Sequence, residues 1–402
     1  MLTTAEAAQA IEDSMPDFGA ENVGIEQAAG RVLRQVVSAE RDQPPFDRVT
    51  MDGIAIRHAS LASGNRQYII QGTQHAGDPV QSLDEERSCI EIMTGGVLPA
   101  GCDCIIPVER IAVDNNVATV ESNYEATANQ FIHPQGSDHV AGHQVLLPGS
   151  IISPMDIAII ASCGLSNIEV GRAPEIRVIS TGNELVPPGQ AVAAHQIRMS
   201  NGPALVAMLS GQGFTRSSHH HLPDVVDTLE REIDRHLDSA DALILSGGVS
   251  MGKADFVPDV LQKLGVKVVF HKISQRPGKP MWFGIGPNGQ AVFALPGNPV
   301  SSLVCCRQYV LPALFRASGR SNAPTKYAVL HEDVTFTANL TCFLPIRSAS
   351  MDDGRISAMP VPTNTSGDFA ALGNTDGYVE LCREQSEFAA GSIVPLHLWA
   401  TP

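Results

Sequence analysis

The chain has 402 residues, 43% of them apolar, enough for two to four soluble domains with substantial cores. Its formal net charge of −16 disfavours nucleic acid and anionic membranes as partners, so an anionic ligand must be held by locally placed cations. Aromatic residues make up only 5%, which leaves little material for base-stacking platforms.

The opening MLTTAEAAQAIEDSM lacks the basic-then-apolar pattern of a signal peptide. Residues 4–38 read as helix-rich, with a break near residues 19–24, and RDQPPFDR, residues 41–48, punctuates the chain. From Tyr68 to Glu121 the pattern becomes short apolar alternations with Gly, Pro and Asn turns. Within it Cys102 and Cys104 alternate as same-face strand residues, and IAVDNNVATVE is expected to be a hairpin turning at Asn115 and Asn116. His139 and His143 have the spacing of helical metal ligands, but Gly142 and Pro148 argue for a loop. IISPMDIAIIASCG reads as a helix closing at Gly164.

From Ile176 the rhythm changes to strand, loop, helix. IRVIS, ALILS, VKVVF and AVFAL are short apolar strands. Val225, Leu229, Ile233 and Leu237 recur every four residues and define one helical face, and a further helix is expected from about Pro299 to Arg316. This alternation predicts a parallel, doubly wound α/β sheet with its site at the carboxyl ends of the strands. His219, His220 and His221 fall in FTRSSHHHL, expected to be an edge strand with exposed histidines. Trp282 and Trp399 read as core aromatics. After Arg320 the texture is all-β, with a hairpin around Asp353 and Gly354 and a final strand SIVPLHLW. No apolar run approaches the ~20 residues of a membrane span. None of the eight cysteines forms a C-x-x-C pair, so a zinc knuckle has no support and a reduced, cytoplasmic protein is expected.

SGGVSMGKADF, residues 246–256, contains G-x-x-x-x-G-K, one residue short of a nucleotide-triphosphate P-loop. The next position is Ala254, which has no hydroxyl to ligate the nucleotide's magnesium. Gly247 and Gly248 at a strand end let backbone N–H groups approach a ligand, although a tight turn alone needs the same residues. Three further stretches follow strands of the same sheet: ISTGNEL (179–185), QRPGKP (275–280) and LPGNPVSS (295–302). In the last, Asn298 suits a helix N-cap and Pro299 the first turn, and the free N–H groups beyond favour anions. Arg276 and Lys279 flank the rigid Pro277 and Gly278 and can clamp phosphate. Taken singly, the helix start and the Arg276–Lys279 turn are better explained as a capped structural helix and solvated charge, and the glycine pair equally well as a tight turn. Together they carry weight, because a doubly wound sheet gathers such loops at one edge. Glu184, Asp224 and Asp255 belong to that edge too. As carboxylates they repel a phosphate unless a cation such as Mg²⁺ bridges the two, although Asp224 and Asp255 also suit helix caps.

SGGVSMGKADF, STGNEL, IRMSN, RPGKP and LPGNPVSS resemble motifs of the molybdopterin molybdenumtransferase family (MoeA and the corresponding gephyrin domain). PPFDRVTMDGIAIR (44–57) and EIMTGGVLPAGCDCIIPVE (91–109) are similar to two more, in the family's order. The resemblance implies an α/β multidomain protein. An elongated helical domain would come from residues 1–44 and 143–171, and an inserted β-rich domain from 45–142. An α/β molybdopterin-binding domain shared with the adenylyltransferases would span 172–320, and a C-terminal β-barrel 321–402. It implies a homodimer in which the inserted domain of one subunit faces the α/β cleft of the other. The implied reaction is Mg²⁺-dependent insertion of molybdate into adenylylated molybdopterin, releasing AMP and molybdenum cofactor. Protein partners it implies are the adenylyltransferase and cofactor-accepting apoenzymes.

By position in these motifs, the resemblance gives catalytic roles to Asp52, Thr94, Glu184, Asp224, Asp255 and Lys279, with Glu184 and Asp255 as metal ligands. Ser246, Gly247, Gly248, Ser250, Arg276, Lys279, Pro299 and Ser301 would bind the substrate. The chain departs from the family at Lys253, Arg276, Ile54 and Pro345, with Arg347 two residues beyond the last. The competing readings are a molybdopterin adenylyltransferase and a non-catalytic paralogue that binds cofactor or scaffolds a partner.

Overall fold

The computed structural model describes residues 1–248, 256–336, 339–362 and 367–400. The chain forms two compact units, one of Met1–Gln35, Pro148–Ser153 and Asn167–Pro402, the other of Val36–Leu147 and Pro154–Ser166.

In the first unit, helix Thr4–Ser14 starts at a capping box. The Thr3 hydroxyl accepts from the Glu6 N–H at 3.2 Å, and the Glu6 carboxylate accepts from the Thr3 N–H at 2.8 Å. The helix buries Ala7 and Ile11 in the main core. The helical character expected across 4–38 stops there. Gly19, at φ 80°, turns the chain, and Ala20–Gly24 takes its hydrogen bonds from an antiparallel ladder with Asn167–Gly171.

Six strands form the central sheet, in the order Ser217–Leu222, Ile176–Thr181, Ala242–Ser246, Ala291–Leu295, Trp282–Ile285, Lys267–His271. The first three junctions are parallel and the last two antiparallel. The sheet is therefore mixed, because Trp282–Ile285 returns through a short turn at Gly289 (φ 88°) and a short connection permits only an antiparallel neighbour. Successive residues of each strand face opposite sides. Val178 packs with Leu205, Leu209 and Val310, while Ile179 packs with Leu229, Ile233 and Leu261. Each such buried aliphatic side chain contributes roughly 1.5–3 kcal/mol. Helix Val226–Ser239 buries Leu229, Ile233 and Leu237 as its periodicity predicts, but Val225 sits at its N-cap and is exposed. The helical segment from Pro299 runs to Ala317 and is interrupted over Cys306–Val310, where the Leu311 N–H bonds five residues back to Cys306. Pro312 has no N–H to continue the regular ladder, which accounts for the wide turn.

Ser217–Leu222 is the edge strand expected from the sequence, but its histidines are not all free in solvent. His219 Nε2 lies 3.0 Å from Ser180 Oγ, and the rings of His220 and His236 are 4.4 Å apart. Burial lowers the His219 and His220 pKa values below the usual histidine range. Trp282 is a core aromatic, and Trp399 packs partly buried beside Tyr378.

The C-terminal strands close into a barrel. Thr341–Ser350 pairs with Ile356–Pro360 on one side and with Gly377–Leu381 on the other. The ring is completed through Lys326–Leu330 and Ile393–Leu398. Gln275–Arg276 adds in parallel to the start of Thr341–Ser350, so the RPGKP loop is hydrogen-bonded to the barrel.

The second unit contains a six-stranded sheet in the order Cys104–Pro107, Gly53–Ile56, Ser88–Ile92, Gln67–Gln74, Val117–Val120, Ile111–Asp114. The hairpin turns at Asn115 (φ 47°) and Asn116 (φ 64°), the left-handed pair a two-residue loop requires. Helix Pro154–Ser162 ends before Gly164 (φ 79°). Cys102 and Cys104 do not share a face. The strand begins at Cys104, and Cys102 in the preceding turn packs with Leu83 and Ile90, whereas Cys104 packs with Tyr68 and Ile106. His139 and His143 lie in a loop, their rings stacked at 4.9 Å.

Candidate active site

At the carboxyl end of the parallel strands a cavity of about 760 Å³ opens, and Glu184, Asp224, Ser246, Gly247, Gly248 and Pro299 all line it. The glycine pair follows the Ala242–Ser246 strand in left-handed backbone, at φ 105° and 67°. A Cβ on Gly247 would sit 2.7 Å from the Thr181 carbonyl, and one on Gly248 2.6 Å from Val257 Cγ2. Only glycine allows the chain to pass this closely between strand end and helix. Thr181 Oγ1 is buried beside the same pair and has no hydrogen-bond partner among the described residues. Such a hydroxyl costs about 1–3 kcal/mol if left unsatisfied, and no described residue uses this donor.

A polar network that joins Ser246 to Asn201 and Ser302 forms the cavity floor. Asn201, first residue of helix Asn201–Ser210, donates from Nδ2 to Ser246 Oγ at 2.9 Å and to the Gly297 carbonyl at 2.8 Å. Ser246 Oγ also lies 3.2 Å from the buried Ser302 Oγ. Asn201 was visible only as the last letter of IRMSN, at a helix start after a strand. The Asp224 N–H donates to Asn183 Oδ1 at 3.1 Å, which joins the two carboxylate-bearing loops. Glu184 is exposed, and its carboxylate folds back over Gly182.

Arg276, Lys279 and Ser301 line an adjoining cavity of about 690 Å³, completed by barrel residues including Phe336 and Phe343. Pro280, Pro296 and Asn298 border both cavities. The Arg276 guanidinium stands 6.0 Å from the Phe336 ring centroid. Asn298 is the N-cap of Pro299–Cys305, with no capping bond from its side chain. A buried latch holds the RPGKP turn from below. Gln275 Nε2 donates to the Pro277 carbonyl at 3.0 Å, and Gln275 Oε1 accepts from the Tyr309 hydroxyl. A Cβ on Gly278 would meet Cys305 Sγ at 2.4 Å. Burial pushes the Cys305 thiol and the Tyr309 phenol well above their usual pKa ranges, so both stay neutral.

Asp52 and Thr94 lie in the second unit and pair with each other. The Thr94 N–H and hydroxyl both donate to Asp52 Oδ1, at 2.6 and 2.7 Å. The register Gly53↔Ile92 brings the start of one strand beside the end of its neighbour. The Thr94 hydroxyl, then its N–H, hold the Asp52 carboxyl below the usual carboxylate range. Ser250 and Asp255, together with Lys253, lie outside the described residues.

Known proteins match along most of the chain. The MoeA N-terminal region (domain I and II) matches residues 2–164, the probable molybdopterin binding domain 177–316 and the MoeA C-terminal region (domain IV) 327–399. A Synechocystis protein named molybdopterin molybdenumtransferase is 38% identical over 99% of this chain and 100% of its own. One of the same name from Haemophilus influenzae is 30% identical over 98% of each chain. The crystal structure of a molybdopterin biosynthesis MoeA protein from Pyrococcus horikosii superposes with a TM-score of 0.83 at 27% identity, covering 100% of both chains. The match thus runs through both units and the barrel, and the chain belongs to the molybdopterin molybdenumtransferase family.

Proposed function

We propose that this chain inserts molybdenum from molybdate into adenylylated molybdopterin and releases AMP. The observation that carries the reading is the convergence at one sheet edge of the glycine pair, the Asn201–Ser246–Ser302 network and two carboxylates, with Arg276 and Lys279 in the adjoining cavity. An adenylyltransferase is disfavoured by relatives of full length that carry the molybdenumtransferase name.

The chemistry required is charge neutralisation and positioning, because the sulfur–metal bonds belong to the substrate. Lys279 and Arg276 neutralise the phosphate oxygens of the adenylyl bond as charge develops on them. The Gly247 N–H is taken by the Leu295 carbonyl at 3.2 Å, so Gly248 presents its backbone N–H, and Thr181 Oγ1 supplies a donor that no described residue uses. Ser301 and the first turn of the Pro299–Cys305 helix offer donors to an oxyanion such as molybdate. Asn201 fixes Ser246 and so holds the cavity floor in register.

The donor set fits Mg²⁺. Glu184 and Asp224 supply carboxylate oxygens in one cavity, and magnesium characteristically takes one or two carboxylates plus substrate phosphates. We propose Asp255 as a further ligand from the segment between Gly248 and Phe256. When bound, the ion would neutralise phosphate oxygens beside those carboxylates.

We further propose the division into four domains at 1–44 with 143–171, 45–142, 172–320 and 321–402. We also propose a homodimer in which Asp52 and Thr94 serve the cleft of a second copy, with action in the cytoplasm. Mixing inactive Asp52→Ala and Lys279→Ala proteins tests the shared site. Activity recovered in the mixture supports it, and none recovered contradicts it. The function itself is tested by incubating the chain with adenylylated molybdopterin, Mg²⁺ and molybdate. AMP release with formation of molybdenum cofactor supports it. Consumption of ATP by molybdopterin, without a molybdate requirement, refutes it.

A further inference from the structure

A cavity of about 310 Å³ lies between the Leu311–Ala317 helix and the barrel strands Lys326–Leu330 and Ile393–Leu398. It shares no lining residue with the two cavities described above. Arg307, Arg316, Arg320 and Lys326 line it, and no carboxylate does among the described residues. This is unexpected in a chain where 43 Asp and Glu outnumber 27 Lys and Arg.

Two of the flanking groups already face carboxylates. Arg316 pairs with Glu12 at 2.7 Å, and His397 Nε2 faces Glu380 at 3.4 Å. No ion pair joins Arg307, Arg320 or Lys326 to a carboxylate among the described residues. Both guanidinium groups are held in place. The Arg307 Nε–H donates to the Leu398 carbonyl at 2.6 Å. The Arg320 guanidinium lies 4.6 Å over the Phe315 ring, itself 5.0 Å from Phe214, and its backbone N–H donates to the Phe315 carbonyl at 3.0 Å. Burial, and then the Arg307 charge, hold the Arg320 pKa below the usual arginine range. Arg307, Arg320 and Lys326 are brought together here without a paired carboxylate among the described residues, a cost that a bound anion removes.

We propose that this cavity is a second ligand site, taking a phosphate dianion, free or as the terminal group of a monoester. Two preorganised guanidinium forks and an ammonium suit a dianion with several acceptor oxygens, whereas a single carboxylate leaves charge unmatched. At ~30 Å³ per water the space holds roughly ten waters, more than bare phosphate fills. Leu311, Pro312 and Leu396 offer an apolar wall to an ester.

Titration calorimetry of the full chain with inorganic phosphate tests this, with AMP as competitor. Wild type is expected to bind phosphate. Arg320→Ala should weaken that binding about tenfold or more, since a charge-assisted bidentate contact is lost, and Arg320→Lys should recover part of it. The same component should persist in Lys279→Ala, and molybdenum insertion by Arg320→Ala should stay at the wild-type rate. Lys326→Ala, at an exposed side chain, serves if Arg320→Ala does not fold. Displacement by AMP assigns the site to an ester and its absence to the free ion, and either supports the proposal. Phosphate binding that is absent, unchanged by Arg320→Ala and Lys326→Ala, or lost only in Lys279→Ala overturns it.

Discussion

Asn201 Nδ2 bridges Ser246 Oγ and the Gly297 carbonyl, at 2.9 and 2.8 Å, so one amide ties a helix start to the ends of two neighbouring strands. Asn201→Ala removes both bonds and leaves Ser302 as the side-chain partner of Ser246 among the described residues. A net hydrogen bond is worth ~1 kcal/mol, so KM for adenylylated molybdopterin should rise roughly three- to tenfold. Steady-state AMP release measures this. An unchanged KM with a large loss of folding stability would show Asn201 to be a structural brace only.

Thr94 donates twice to Asp52, and Thr94→Val removes the stronger lowering influence while keeping the N–H. The Asp52 pKa should rise toward the ordinary carboxylate value, as followed by NMR titration of the side-chain carboxyl. The sign follows from the depressed folded value. Stability linked to this group is present above the unfolded carboxyl pKa and lost as pH falls through the folded one. Since Asp52 is exposed, the readout is the pKa itself. No shift in Thr94→Val would contradict the assignment.

These two relationships also show what was legible in the sequence. The parallel strands, the hairpin at Asn115 and Asn116 and the Gly247–Gly248 turn follow from apolar periodicity and backbone demands that are local. Glu184, Asp224, Ser246 and Pro299 meet in one cavity because the topology collects strand ends, and that was legible too. The Gln275–Cys305–Tyr309 latch was not, because its members are far apart in the chain and are joined only by helix packing. The reversed strand Trp282–Ile285 was missed because periodicity carries no direction. The strand Ala20–Gly24 was read only as a break in a helix-rich stretch because its partner Asn167–Gly171 lies about 145 residues on, beyond any local propensity signal.

His236 tests the burial of the edge-strand histidines. Burial, followed by the charges of His220 and Arg177, lowers its pKa from 6.5 to about 4. The unfolded chain therefore binds a proton that the folded one refuses between those values, and the associated stability, full above about pH 6.5, declines as pH falls toward 4. Urea midpoints measured across this range should fall in wild type and flatten in His236→Gln. Parallel slopes in the two proteins would contradict the account.

Gly53 allows the close strand approach that sets Asp52 beside Thr94. A Cβ there would lie 1.9 Å from the Ile106 carbonyl oxygen, at φ 155°. Gly53→Ala should destabilise the second unit by more than about 2 kcal/mol, because backbone on both strands must shift. Urea unfolding followed on that unit measures it. A near-wild-type midpoint would contradict the register Gly53↔Pro107.

The central claim is that cations at the sheet edge neutralise the adenylyl phosphate while molybdate is taken up. It is tested most directly by single-turnover AMP release from adenylylated molybdopterin, with and without molybdate, in wild type and Lys279→Ala. The account predicts molybdate-dependent release in wild type, a rate lower by roughly two orders of magnitude in Lys279→Ala, and partial recovery in Lys279→Arg. Release at the wild-type rate in Lys279→Ala, or no release by wild type, would contradict it.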